Sequence, residues 1–91
     1  MFVVSGGKGT GKTKELAQKA KEANGILVCE NPTKMRERIY KYGITGVNII
    51  SYDDFVDCAV TVYGQPIYIH NLEELIKYRW SEIEGFSVCN E

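Results

Sequence analysis

Short apolar runs and amphipathic stretches alternate along the whole chain, and this order limits it to one broad class of fold. The runs are Phe2-Val3-Val4, Ile26-Leu27-Val28-Cys29, Val47-Asn48-Ile49-Ile50, Ile67-Tyr68-Ile69 and Phe86-Ser87-Val88-Cys89. Each of the first four is followed by a stretch with helical periodicity, giving β-α-β-α-β-α-β-α-β. Parallel neighbours cannot be joined by a tight turn, so helical crossovers between strands predict a parallel sheet covered on both faces. The expected fold is α/β: a three-layer α/β/α sandwich around a mainly parallel sheet of about five strands, in one domain over residues 1–91. Ile26 to Cys29 has no polar alternation, which predicts a strand buried on both faces.

Local signals mark the helix ends. The first helix is expected from Lys12 to Asn24, with Leu16, Ala20 and Ala23 on its inner face, and Asn24-Gly25 stops it. Asn31 caps the second with Pro32 in its first turn; Met35, Ile39 and Tyr42 face inward and Gly43 ends it. Ser51 caps the third, with Asp54 completing a capping-box pattern. Its inner stripe is Phe55, Ala59 and Val62, and Gly64 closes it. Asn71 and Glu74 form a looser capping pair for a fourth helix carrying Leu72, Leu75, Ile76 and Trp80.

Composition narrows the class further. Ninety-one residues with 44% hydrophobic and 25% charged side chains suit one small globular domain with a modest core. A net charge of −1 gives no global basic field for nucleic acid. No apolar run reaches the length of a membrane span, and Met1 to Ser5 lacks the basic leader of a signal peptide. Cys29, Cys58 and Cys89 are widely spaced and form no C-x-x-C pair, so they are expected as reduced, mostly buried thiols. A cytoplasmic protein is the expectation.

Between the first run and the first helix lies Gly6-Gly7-Lys8-Gly9-Thr10-Gly11-Lys12-Thr13, which matches G-x-x-x-x-G-K-[ST] at every fixed position. The pattern has a physical reason. Backbone N–H groups that all point inward at phosphates require positive φ angles and close backbone approach, which glycine supplies. The helix after the loop adds its unpaired N–H groups and the positive end of its dipole. Lys12 would bring its charge to the β and γ phosphates, and Thr13 would offer its hydroxyl to a Mg²⁺ ion. Lys8 reads either as a further phosphate contact or as a solvated charge at the loop tip.

With these residues the chain resembles the P-loop NTPases. The stretch Ile26-Leu27-Val28-Cys29-Glu30-Asn31-Pro32-Thr33 is similar to the second conserved strand and turn of the helicase-like ATPase branch. Asn48-Ile49-Ile50-Ser51-Tyr52-Asp53-Asp54-Phe55 looks like their next strand and helix start. Ile67-Tyr68-Ile69-His70-Asn71-Leu72-Glu73-Glu74-Leu75 looks like their Walker B strand and the segment after it. The overall resemblance is to small ATPase-like proteins of phage or prophage type. It implies a minimal P-loop fold that binds ATP or another NTP together with Mg²⁺, with Lys12 in a catalytic role.

The chain departs from the family where its chemistry is done. A Walker B strand ends in a carboxylate that holds the Mg²⁺ shell, and in the ATPase branch the next residue is a Glu that activates water; here His70 and Asn71 stand at those positions. Imidazole is a poor partner for a hard ion that prefers oxygen, and Asn cannot take a proton from water. On this alignment binding survives and hydrolysis is weak, partner-dependent or absent. Other readings stay open. Asp53 or Asp54 serves if the third strand is the true Walker B, although both also suit the first turn of a capped helix. Glu73 or Glu74 could reach in from the fourth helix, or simply favour its start. His70 also reads as an ordinary polar strand end. None of Arg36, Arg38 and Arg79 can be assigned as an arginine finger.

A core so trimmed predicts self-association or a partner protein, with Tyr40, Tyr42, Tyr63, Tyr68, Tyr78 and Trp80 as contact residues or as core and rim of the monomer. Nucleic acid enters as a partner by family analogy only.

Overall fold

A computed structural model describes residues 11–57, 64–85 and 87. Its elements, in chain order, are α1 (Lys12–Glu22), β1 (Ile26–Cys29), α2 (Pro32–Tyr40), β2 (Asn48–Ser51), α3 (Tyr52–Asp57), β3 (Ile67–Ile69) and α4 (Leu72–Arg79). The three strands form a parallel sheet in the order β2-β1-β3. Ile26, Leu27 and Val28 pair with Asn48, Ile49 and Ile50 on one side and with Ile67, Tyr68 and Ile69 on the other. Of the five expected strands, 2–4 lies outside the described residues, and Ser87 alone of 86–89 is described, without strand structure.

The layers derive from this order. β1→β2 and β2→β3 run in opposite directions across the sheet. Crossovers of one hand therefore place α2 and α3 on opposite faces. Side-chain alternation along the strands agrees. Leu27, Cys29 and Ile49 pack with Ala17 and Ala20 of α1 and with Met35 and Ile39 of α2. Ile26 and Val28 pack on the other face with Tyr52 of α3 and Leu75 of α4. Every residue of β1 is buried, as its unbroken apolar run requires for a central strand. Ala17 and Ala20 are fully buried, and their small side chains let α1 lie close on the sheet.

Several ends form as the sequence predicts. Asn31 Oδ1 accepts from the Lys34 N–H at 3.1 Å, with Pro32 opening α2. Ser51 Oγ accepts from the Asp54 N–H at 3.1 Å and starts α3. Asn24 takes a left-handed φ of 54° after α1. Gly25 is required for a different reason. A Cβ there would lie 2.6 Å from the Pro66 carbonyl oxygen, which accepts the Ile26 N–H at 2.8 Å and leads into the β1–β3 ladder.

Other expectations are corrected. Asn71 does not cap α4 with its side chain; it sits at φ 59°, and its carbonyl accepts the Glu74 N–H at 3.0 Å. Ala23, Tyr42 and Trp80 are exposed rather than inward, because each lies past the last helical residue and the helical period no longer governs it. Leu72, the first residue of α4, is exposed too, leaving Leu75 as that helix's buried residue. On α1 the buried stripe is Thr13, Ala17 and Ala20, with Leu16 packed beside it. Ala59 and Val62 lie outside the described residues.

Candidate functional site

Three parallel strands end on one edge, and the N-terminus of α1 reaches that same edge. In parallel α/β sheets, ligands bind outside the carboxyl ends of the strands, where connections diverge. Gly6 to Thr10 lie outside the described residues. The last three motif residues are placed. Gly11 has φ 77°, the left-handed conformation that glycine adopts at no steric cost, and its carbonyl accepts the Glu15 N–H at 3.1 Å. Lys12 is half-buried as the first helical residue. Thr13 is buried, at 6% exposure, and it is the one buried polar side chain besides Tyr52 among the described residues.

Thr13 meets the end of β3. Its Oγ1 lies 3.2 Å from His70 Nε2, at hydrogen-bond distance between residues 57 positions apart. Sheet alternation explains the encounter. His70 comes directly after Ile69 and takes the face of Tyr68, the side on which α1 packs. Its backbone continues the ladder, because the His70 N–H donates to the Val28 carbonyl at 2.8 Å. Burial holds the His70 pKa below its ordinary value of 6.5, and the charges of Arg38 and Lys12 depress it further. The ring is therefore neutral at physiological pH.

Tyr52 holds this strand end from the other face. Its hydroxyl donates to the His70 carbonyl at 2.7 Å and stands 3.2 Å from that of Asn71. Its ring packs in the core beneath, and burial raises its pKa strongly. No motif marks Tyr52 for this role. Its signal in the sequence is a tyrosine at the first position of a helix leaving a strand, with its ring in the core and its hydroxyl in reach of the edge. Arg38 has the sequence context of a solvated helix residue, yet its charge acts on His70.

The alternative carboxylates do not join this pair. Asp53 is exposed on α3 and accepts the Tyr78 hydroxyl, which raises the tyrosine's pKa. Asp54, Glu73 and Glu74 are exposed in first turns of α3 and α4, on the layer opposite α1. Glu30, just past β1, acts electrostatically on Tyr52 and Tyr78. Cys29 is a buried thiol whose pKa is pushed up to about 11 by desolvation, so it is not a nucleophile at neutral pH. Cys58 and Cys89 lie outside the described residues.

The donor set decides which metals fit. Among the described residues no group of three or more His, Cys, Asp and Glu could hold an ion by itself. To a metal at this edge Thr13 would offer one oxygen and His70 one nitrogen. Hydrated Mg²⁺ fits the oxygen and not the imidazole.

Elsewhere, Tyr40, Tyr42, Tyr78 and Trp80 are exposed, Tyr68 packs against the core, and Tyr63 lies outside the described residues. Lys14 Nζ stands 5.9 Å above the Tyr42 ring and the Arg79 guanidinium 5.7 Å above that of Trp80. Among the described residues no helix is long and apolar enough to cross a membrane. No family model, curated protein or solved structure matches the chain.

Proposed function

We propose that this chain binds the phosphate tail of a nucleoside triphosphate, ATP foremost, at the segment Gly6 to Thr13, and hydrolyses it weakly or only with a partner. The observation that carries the reading is the 3.2 Å approach of His70 Nε2 to Thr13 Oγ1. In a P-loop site the motif threonine and the end of a neighbouring strand together hold the metal that bridges the phosphates. Thr13 meets the end of β3 at His70, with Gly11 left-handed at the helix start and Lys12 close enough for its charge to act on His70, which supports this reading. Lys12 binds phosphate and neutralises charge developing on it. Thr13 supplies the metal-facing oxygen. Mg²⁺ is the expected cellular counter-ion of the nucleotide.

A second reading, a nucleotide-binding regulatory or interaction module without turnover, is favoured by the neutral state of His70. Among the described residues, His70 and Asn71 at the end of β3 supply no carboxylate to order the metal shell or to take a proton from water. A second copy of the chain or a partner protein on the exposed aromatics, and a cytoplasmic location, belong to the same proposal.

Calorimetry with ATP, with and without Mg²⁺, tests the reading alongside a phosphate-release assay. Lys12→Ala is expected to abolish binding while leaving the fold intact by circular dichroism. Unchanged affinity in that variant overturns the proposal. Robust turnover in the unmodified protein overturns the assignment of His70 to the Walker B position.

A further inference from the structure

We infer that this site discriminates among divalent ions, with His70 Nε2 and Thr13 Oγ1 as adjacent ligands of a nucleotide-bound Mn²⁺ or Co²⁺ in preference to Mg²⁺. The inference rests on the nucleotide-binding reading and departs from the Mg²⁺ chemistry which that reading borrows.

Geometry supports direct ligation. Two neighbouring ligands of an octahedral ion, each at about 2.1 Å, stand about 3.0 Å apart. Nε2 and Oγ1 are 3.2 Å apart, so an ion can replace their hydrogen bond with little movement of either side chain. The imidazole is held for the task. Its backbone is fixed by the Val28 carbonyl on one side and by the Tyr52 hydroxyl on the other.

Chemistry supplies the discrimination. Affinity for an imidazole nitrogen rises along the first-row series from Mn²⁺, its weakest member, to the stronger Co²⁺, whereas Mg²⁺ dehydrates reluctantly and selects oxygen, so the preference over Mg²⁺ is expected to be larger for Co²⁺ than for Mn²⁺. A carboxylate at position 70 would serve Mg²⁺ through its water shell. Imidazole gives that shell a weaker acceptor and gives Mn²⁺ or Co²⁺ a direct bond. Phosphate oxygens of the nucleotide complete either ion's coordination, so the protein sets the preference through one atom.

The chain contains a single histidine, which makes the test unambiguous. Binding of a non-hydrolysable ATP analogue is measured by calorimetry in EDTA, Mg²⁺, Mn²⁺ and Co²⁺, for the native chain and for His70→Asp. The ratio of Mn²⁺-supported to Mg²⁺-supported affinity is expected to fall on the order of tenfold in the variant, the scale on which ligand environment tunes metal affinity. Independently, pulsed electron paramagnetic resonance of the Mn²⁺-nucleotide complex is recorded with natural-abundance and ¹⁵N-histidine-labelled native protein. A nitrogen coupling that changes isotope with the label supports the assignment, and needs no variant to fold. Nucleotide binding that is equal in Mg²⁺ and Mn²⁺, with no label-sensitive coupling, overturns the inference and leaves the nucleotide reading standing. Absence of nucleotide binding under every condition overturns both.

Discussion

Tyr52→Phe removes one atom from the core-to-edge strut and leaves the ring in place. The lost hydroxyl spans two carbonyls, at 2.7 Å on His70 and 3.2 Å on Asn71. One proton serves one strong bond, so the His70 carbonyl is the main loser. The Asn71 carbonyl keeps the Glu74 N–H at 3.0 Å. A net hydrogen bond contributes about 0.5–1.5 kcal/mol, and a buried acceptor left without a partner costs about 1–3 kcal/mol. His70 is only half-buried and water can reach part of it, so the total is expected near 1–2 kcal/mol. For a domain of this size that lowers Tm by roughly 5–15 °C. Tyr52→Ala, which also empties the ring's place among Ile26, Val28 and Leu75, is expected to cost about 3–5 kcal/mol. Thermal and urea unfolding monitored by circular dichroism give both numbers. The positioning role has its own readout. With the strut gone, the His70 ring gains access to water, and its pKa, read from the single histidine signal by NMR, is expected to rise toward 6.5. A Tyr52→Phe variant with unchanged Tm and an unchanged histidine pKa refutes the strut.

Gly25→Ala places a Cβ 2.6 Å from the Pro66 carbonyl oxygen and is expected to cost about 1–3 kcal/mol in urea unfolding, because backbone must move to accept it. His70 titrates below its ordinary value in the fold, so the unfolded chain binds its proton first as pH falls. In EDTA the native protein is expected to lose stability as pH drops below 6.5 toward the folded pKa, relative to a His70→Asn variant in the same thermal melts. Asp53→Asn, which alters a carboxylate engaged with Tyr78 on the opposite layer, is expected to leave nucleotide affinity unchanged by calorimetry. His70→Asp is expected to weaken ATP binding in EDTA and to increase its dependence on Mg²⁺.

Local signals are legible at Asn31 and Ser51 but not at Asn71, whose side chain makes no cap. Asn31 and Ser51 cap because each carries a short acceptor placed before a helix. Gly11 turns left-handed where the motif needs it, and Ile26 to Cys29 is buried throughout because a polar side chain appears at none of its positions. The losses at Ala23, Tyr42 and Trp80 share one cause. The helical period turns Ala23, Tyr42 and Trp80 inward, yet each lies just past a helix end, and ends are set by backbone bonds that periodicity does not encode. The site divides in the same way. The helix start at Gly11, Lys12 and Thr13 is written in consecutive residues. The meeting of Thr13 with His70 depends on α1 packing on the face of β3 that His70 shares with Tyr68. The Tyr52 strut depends in addition on α3 crossing to the other layer, which is a consequence of strand order and not of any residue near Tyr52.

The charge at the end of β3 explains why His70→Asp should act in opposite senses with and without metal. Lys12 and Arg38 both place positive charge within reach of His70. A carboxylate there would oppose that charge before any ligand arrives, and a neutral imidazole does not. A unit charge about 8 Å from a nucleotide's phosphates, at an effective dielectric of roughly 20 to 40, would change the binding free energy by roughly 1–2 kcal/mol. The native chain is therefore expected to bind ATP without metal about 5- to 30-fold more tightly than the aspartate variant, since about 1.4 kcal/mol is tenfold. Adding Mg²⁺ reverses the balance, because the new carboxylate then faces a cation instead of a phosphate. Equal metal-free affinities would mean that position 70 stands outside the field of the bound phosphates, and the pairing of Thr13 with His70 would then be a feature of packing alone.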